Sequence, residues 1–194
     1  MKIGIFGGTF NPPHLGHKNI LETSIEKLNL DLVLVIPNNI PPHKEIPKNS
    51  PTTKNRFEMC EIMCDEIEKT MVSSIEIKNG GTSYMVETLE KLRKKYPFDE
   101  FFLIIGTDSF DIFEKWYRFE SIFKLSTLVV LERNHLNQNL VQKEKLAEKY
   151  NAKILLLESE IIEISSTEIR KDENLHLLQP KILEYIEKNN LYKE

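Results

Sequence analysis

The sequence predicts an α/β fold, a Rossmann-like doubly wound sheet of parallel strands with helices on both faces. Three observations point there. Near-continuous apolar runs at 31–36 (DLVLVI), 100–105 (EFFLII), 127–131 (TLVVL) and 153–157 (KILLL) alternate with segments of helical periodicity. Strands of a parallel sheet are covered on both faces and look like this, and right-handed crossovers put the intervening helices on the two sides. All seven glycines precede residue 107, and six of them lie just after a predicted strand or at a helix start. The chain also opens with a short apolar run that passes through a glycine- and proline-rich loop into an amphipathic segment. In such sheets ligands bind beyond the C-terminal strand ends, where strand order reverses.

Residues 2–6 form the first predicted strand, and 14–28 the first helix, with Ile20, Leu21, Ser24, Ile25 and Leu28 as its inner stripe. After the 31–36 strand comes a stretch without periodicity, 37–53, which holds five of the nine prolines. It is either a solvent-exposed insertion or a lid that carries Lys44 over a substrate, its prolines keeping it extended at low entropic cost. A helix is expected over 54–69, with Phe57, Cys60, Met63, Cys64 and Ile67 inward, then a strand over 72–77. The turn Asn79-Gly80-Gly81-Thr82-Ser83-Tyr84 feeds a helix running to about residue 95. Gly106-Thr107-Asp108 ends the 100–105 strand, and a short helix and Trp116-Tyr117-Arg118 follow. A helix over 140–149 precedes the 153–157 strand. Ser165 and Glu168 have capping-box spacing, and Pro180 opens the last helix.

The 194 residues, 40% hydrophobic and 29% charged, suit one domain spanning 1–194, with the 37–53 loop and a C-terminal helical segment at 165–194. The net charge of −4 speaks against general nucleic-acid binding, which needs a basic face. No run approaches the roughly 18 apolar residues of a membrane span, and the opening run is too short for a secretory leader. Cys60 and Cys64 are expected to be small core residues rather than a disulfide or metal pair. A cytoplasmic location follows as the expectation, and association as a homo-oligomer is left open.

The chemistry gathers in Gly7-Gly8-Thr9-Phe10-Asn11-Pro12-Pro13-His14-Leu15-Gly16-His17. Glycines let a ligand approach the backbone, a helix N-terminus attracts anions, and histidines three apart share a helix face. The imidazoles suit phosphate contact better than metal ligation, which needs a third ligand.

This stretch resembles the opening signature of the HxGH nucleotidyltransferase superfamily, and residues 164–170 (ISSTEIR) resemble its closing ISSTxxR signature. Between them PPHK (41–44), TSY (82–84), GTD (106–108) and KWY (115–117) resemble the bacterial nicotinate-nucleotide adenylyltransferases in particular. The likeness covers nearly the whole chain and argues against the related phosphopantetheine adenylyltransferases. It also argues against a non-catalytic nucleotide-binding module, which need not keep both phosphate signatures. It implies a nucleotidyltransferase-type sheet and a reaction in which the phosphate of nicotinate mononucleotide attacks the α-phosphate of ATP. Pyrophosphate leaves without a covalent enzyme intermediate, and Mg²⁺ is bound with ATP rather than by a dedicated protein metal site.

By the same resemblance, His14, His17, Lys44 and Arg170 are the catalytic side chains. His17 would meet the α-phosphate, His14 the leaving phosphates, and Lys44 the attacking phosphate. Gly7, Gly8, Thr9, Phe10, Gly16, Ser166 and Thr167 surround the ATP phosphates, and Gly106 and Asp108 its ribose. Thr82, Ser83 and Tyr84 would offer backbone N–H groups to the nicotinate carboxylate, and Trp116 would stack on the pyridine ring. Without the resemblance, the 82–84 turn is an ordinary helix cap and Trp116 a core residue. The chain departs from the family at Asn11, where aspartate is common, which leaves the Mg²⁺ position open. Arg56 is expected to reach the lid or to be solvated, and Arg133 to approach the adenine or have no role. His176 is expected at the surface.

Overall fold

The computed structural model describes residues 1–194 except 43, 44, 48, 133–135, 159–164, 172, 173, 193 and 194, and only the backbone of 136–138. Its centre is a six-stranded sheet of β1 (Lys2–Gly8), β2 (Leu32–Pro37), β3 (Thr70–Val72), β4 (Glu100–Gly106), β5 (Thr127–Glu132) and β6 (Ile154–Glu158). The order is β3-β2-β1-β4-β5-β6, and every neighbouring pair is parallel. Winding goes outward to β3 and then restarts at β4, so the order reverses between β1 and β4. Ile3 there pairs Leu32 on one side and Phe101 on the other.

The helices are α1 (Leu15–Leu28), α2 (Thr53–Cys64), α3 (Ile75–Asn79), α4 (Met85–Lys95), α5 (Thr107–Asp111), α6 (Phe119–Leu125), α7 (Leu136–Tyr150), α8 (Ser166–Ile169) and α9 (Pro180–Lys188). Alternate strand residues feed two cores. Ile3, Ile5, Leu103, Ile105 and Val130 pack toward Val86 and Leu89 of α4, Ile122 of α6 and Leu146 of α7. Phe6, Val33, Val35, Ile104 and Leu131 pack toward Leu21 of α1, Met59 and Met63 of α2 and Ile182 of α9. Burial on both faces explains why these strands read as unbroken apolar runs. Among the described residues no helix is long and apolar enough to cross a membrane.

Four expectations are corrected here. The strand expected at 72–77 is β3, ending at Val72, followed by the short helix α3. The Ser73 N–H makes one more bond to the Val35 carbonyl, after which the chain leaves this sheet edge and turns Glu76 inward to the Thr88 hydroxyl. The helix expected at 54–69 stops at Cys64, and its buried face runs through Arg56, Met59, Cys60 and Met63. Phe57 and Cys64 are only half-buried, while Ile67 is buried beyond the helix end. Cys60 and Cys64 are free thiols, and burial pushes both up, that of Cys64 to about 11. α7 begins four residues earlier than the 140–149 expectation, at Leu136, and α6 is an additional helix between β4 and β5. The capping box of Ser165 and Glu168 and the Pro180 start of the last helix are as expected.

Leu103 lies in a central strand and is fully buried, whereas Leu155 on the edge strand is 37% exposed. Leu103→Ala is expected to cost about 3 kcal/mol in chemical denaturation and Leu155→Ala less than about 1 kcal/mol. Equal losses would contradict this division of the core.

Candidate active site

The strand order reverses where β1 and β4 end, and a cleft of about 410 Å³ opens there. Gly7 and Gly8 close β1, and Phe10 takes a left-handed φ of 49°, unusual for a non-glycine residue. Its ring is 98% buried between Phe6 and His17, at centroid distances of 5.5 and 5.0 Å. A Cβ on Gly8 would lie 3.0 Å from that ring, so glycine is the residue that lets Phe10 fold back over it. The loop is thus fixed from inside by a buried aromatic, and Phe10 can meet a nucleotide only through its backbone and ring edge.

His14 is the residue before α1, with extended backbone, and its N–H donates to His17 Nδ1 at 3.2 Å. That bond places the proton of neutral His17 on Nε2. The two rings lie 3.8 Å apart, both line the cleft, and Gly16 lines it between them. The other end of the chain arrives opposite. Ser166 Oγ donates to the Pro12 carbonyl at 2.9 Å, and Arg170 Nη1 to the Asn11 carbonyl at 2.7 Å. Arg170 Nη2 donates to Thr167 Oγ1 at 3.0 Å, and all three closing residues line the cleft. Gly106 ends β4, and Asp108 in the first turn of α5 lines the cleft with an exposed carboxylate.

Across the cleft stand Ser83, Tyr84, Trp116 and Tyr117. Trp116 is half-buried with its ring 5.2 Å from Phe113, and its indole N–H is buried without a partner among the described residues. Tyr117 packs on Tyr84 at 4.7 Å. Thr82 stands apart, lining a smaller hollow of about 110 Å³ with Asn79 and Gly80. One expectation needs correction. The Ser83 N–H is engaged by the Ile40 carbonyl at 2.8 Å, because this turn pairs with the chain leaving β2, so it is not offered to a ligand. Lys44, Ile164 and Arg133 fall outside the described residues. His176 is exposed, as expected.

Three residues matter more than their sequence context suggested. Arg56, expected to reach the lid or to be solvated, is 1% exposed and does reach the 37–53 segment, where its guanidinium holds the carbonyls of Asn38 and Asn39; it also holds that of Thr9, which was not foreseen. Burial lowers its proton affinity. Its signal was the helical spacing 56, 59, 60, 63, which puts it on the apolar stripe. Asn11 is buried, its amide donating to Ser50 Oγ at 3.0 Å while its carbonyl oxygen accepts from Tyr192 at 2.7 Å. Glu76 is 3% exposed at the cleft wall and accepts from Thr88 Oγ1 at 2.7 Å. Burial pushes its carboxyl up, and the hydroxyls of Thr88 and Ser83 partly hold it down.

The family model described as cytidylyltransferase-like matches residues 5–172. Named "Probable nicotinate-nucleotide adenylyltransferase" are a Caldicellulosiruptor saccharolyticus protein, 37% identical with both chains fully covered, and a Clostridium novyi protein, 38% identical with 99% of each covered. A Borreliella burgdorferi protein of the same name is 38% identical over 99% of this chain and 97% of its own. In fold, the chain is similar to the Plasmodium falciparum nicotinic acid mononucleotide adenylyltransferase complexed with NaAD. That match has a TM-score of 0.79 at 20% identity, over 98% of this chain and 97% of the other.

The raised Glu76 carboxyl has a consequence for stability. Its contribution is complete below the ordinary carboxylate range and is lost as pH rises through the raised folded value. Glu76→Gln keeps an acceptor for Thr88 and cannot ionise. Its melting temperature relative to the native chain is expected to increase between about pH 4 and about pH 8. A constant difference across the series would show that no ionisation cost is present.

Proposed function

Because the chain belongs to the nicotinate-nucleotide adenylyltransferase family, we propose that its cleft joins ATP and nicotinate mononucleotide into nicotinate adenine dinucleotide, a step of NAD biosynthesis. The observation that carries this reading is the meeting, in one cleft at the strand-order reversal, of both phosphate signatures with an aromatic wall. His14, His17, Ser166 and Arg170 line one side and Tyr84, Trp116 and Tyr117 the other.

A mononucleotide phosphate oxygen attacks the α-phosphorus, an O–P bond forms, and the bond from that phosphorus to the β-phosphate oxygen breaks. No proton need move, so the residues position and neutralise rather than do covalent chemistry. His17 donates from Nε2 to the α-phosphate as charge shifts there, and His14 stands toward the leaving pyrophosphate. Arg170, held flat by Asn11 and Thr167, presents a fixed cation to the β- and γ-phosphates, and Ser166 and Thr167 add hydroxyls. Gly7, Gly8 and Thr9 supply backbone around them. Asp108 accepts from the two ribose hydroxyls beside Gly106. Trp116 stacks on the pyridine ring, and Tyr84 and Met85 at the start of α4 supply the N–H groups that face its carboxylate. Lys44 remains proposed for the attacking phosphate.

We read the family's need for a divalent ion as one that Mg²⁺ carried on the nucleotide would meet, with phosphate oxygens supplying most of its shell. Bound so, it would spread the charge of the leaving phosphates. We read residues 1–194 as one domain, and the cytoplasm as its place of work.

The deciding assay supplies ATP and Mg²⁺ with one acceptor at a time. Dinucleotide and pyrophosphate are expected from nicotinate mononucleotide, and turnover only with phosphopantetheine would overturn the reading. His17→Ala is expected to lower kcat at least ~10²-fold with a smaller change in the KM for ATP. Steady-state kinetics of Trp116→Ala should show the mononucleotide KM rising more than that for ATP; equal changes would return Trp116 to the core.

A further inference from the structure

The fork of Arg56 joins two loops that the mechanism needs at a fixed spacing. Its Nη1 donates to the Thr9 carbonyl at 2.7 Å and to Asn38 Oδ1 at 3.2 Å. Its Nη2 donates to the carbonyls of Asn38 at 2.7 Å and Asn39 at 3.1 Å. The same two loops meet directly, where Asn38 N–H donates to the Gly8 carbonyl at 2.9 Å and Asn38 Nδ2 to Thr9 Oγ1 at 3.2 Å. Beyond Asn39 the chain of contacts continues to the other side of the cleft. The Asn39 N–H donates to Ser83 Oγ and its side-chain amide to the Gly81 carbonyl, both at 2.9 Å. Ser83 and Glu76 line the same stretch of cleft wall, and Glu76 accepts from Thr88 of α4.

Arg56 does not line the cleft. Among the described residues no carboxylate forms an ion pair with it; its two terminal nitrogens are spent on oxygen atoms of two loops, and its buried Nε meets no partner among those residues. A structural ion pair would bring its own anion, and burial of a lone cation is costly unless its hydrogen bonds repay it. Only a planar fork meets four acceptors in this arrangement; a lysine ammonium is a point charge with three donors.

We propose that Arg56 is a positioning residue that couples the two halves of the cleft. It sets the distance between the Thr9 loop, which faces the donor phosphates, and the Asn38 and Asn39 segment, on which the 82–84 acceptor turn hangs. It touches neither substrate. This rests on the adenylyltransfer reading above. Alignment is what in-line transfer is most sensitive to, and a displacement near 1 Å costs about 10²-fold in rate.

The test compares Arg56→Lys, Ser83→Ala and the double variant, with rates normalised to folded protein. Arg56→Lys is expected to lower kcat about 10- to 100-fold and to raise both substrate KM values less than that. Ser83→Ala cuts the link on the acceptor side and should raise the mononucleotide KM while leaving the KM for ATP unchanged. Because both lie on one chain of contacts, their effects should combine to less than the product. A folded Arg56→Lys with native kcat and KM values, or losses that multiply, would overturn the proposal. If Arg56→Lys does not fold, Asn38→Ala removes one acceptor of the fork and its bond to Thr9. A drop in kcat of about threefold or more then supports the coupling, and native kinetics refute it. A native chain that makes no dinucleotide from ATP and nicotinate mononucleotide would instead sink the functional reading.

Discussion

Two hydrogen bonds from the far end of the chain hold the loop at its start: Ser166 donates to the Pro12 carbonyl and Arg170 to the Asn11 carbonyl. Everything the cleft can do depends on this closure. The opening loop carries a left-handed Phe10 and two histidines whose rings lie 3.8 Å apart. Backbone in a sparsely populated region persists only when its surroundings over-determine it. Here they do so from three directions, through the closing residues, Arg56 beneath Thr9, and Tyr192 with Ser50 on the Asn11 side chain. Arg170, proposed to meet a polyphosphate, is thereby oriented by the loop it braces, so the opening and closing signatures form one object.

The sheet was legible because its physics is local and repetitive. β2, β4 and β5 are buried on both faces and announce themselves as apolar runs, as does the half-covered edge strand β6, and the boundaries of all four lie within about a residue of the expectation. β3 was misplaced because a three-residue edge strand with no fully buried side chain carries little pattern. The following Ile75, Glu76 and Ile77 look like alternation but belong to a helical turn that buries the carboxyl rather than the isoleucines.

The gathering of the cleft was legible where a residue type stands out by itself: the histidine pair, the closing serine, threonine and arginine, and the lone tryptophan all line it. It was illegible where a side chain serves a distant backbone atom. Arg56 reads as a solvated charge or as one that reaches the 37–53 segment, and the second holds at Asn38 and Asn39, but nothing local says that it also reaches Thr9, 47 residues away. Asn11 looked like a lost carboxylate. In the structure its amide donates to Ser50 Oγ and accepts from the Tyr192 hydroxyl, so both ends of the side chain are tied into the fold.

Trp116 is the only tryptophan in the chain, and it stands in the wall of the cleft with its indole N–H buried and, among the described residues, unpartnered. Emission excited to the red of tyrosine absorption therefore originates at a single place, in the wall proposed to take a flat ring. Occupancy of that wall can be followed by light from the unlabelled protein, in real time and at low concentration. Events at the phosphate end stay dark unless they move the wall.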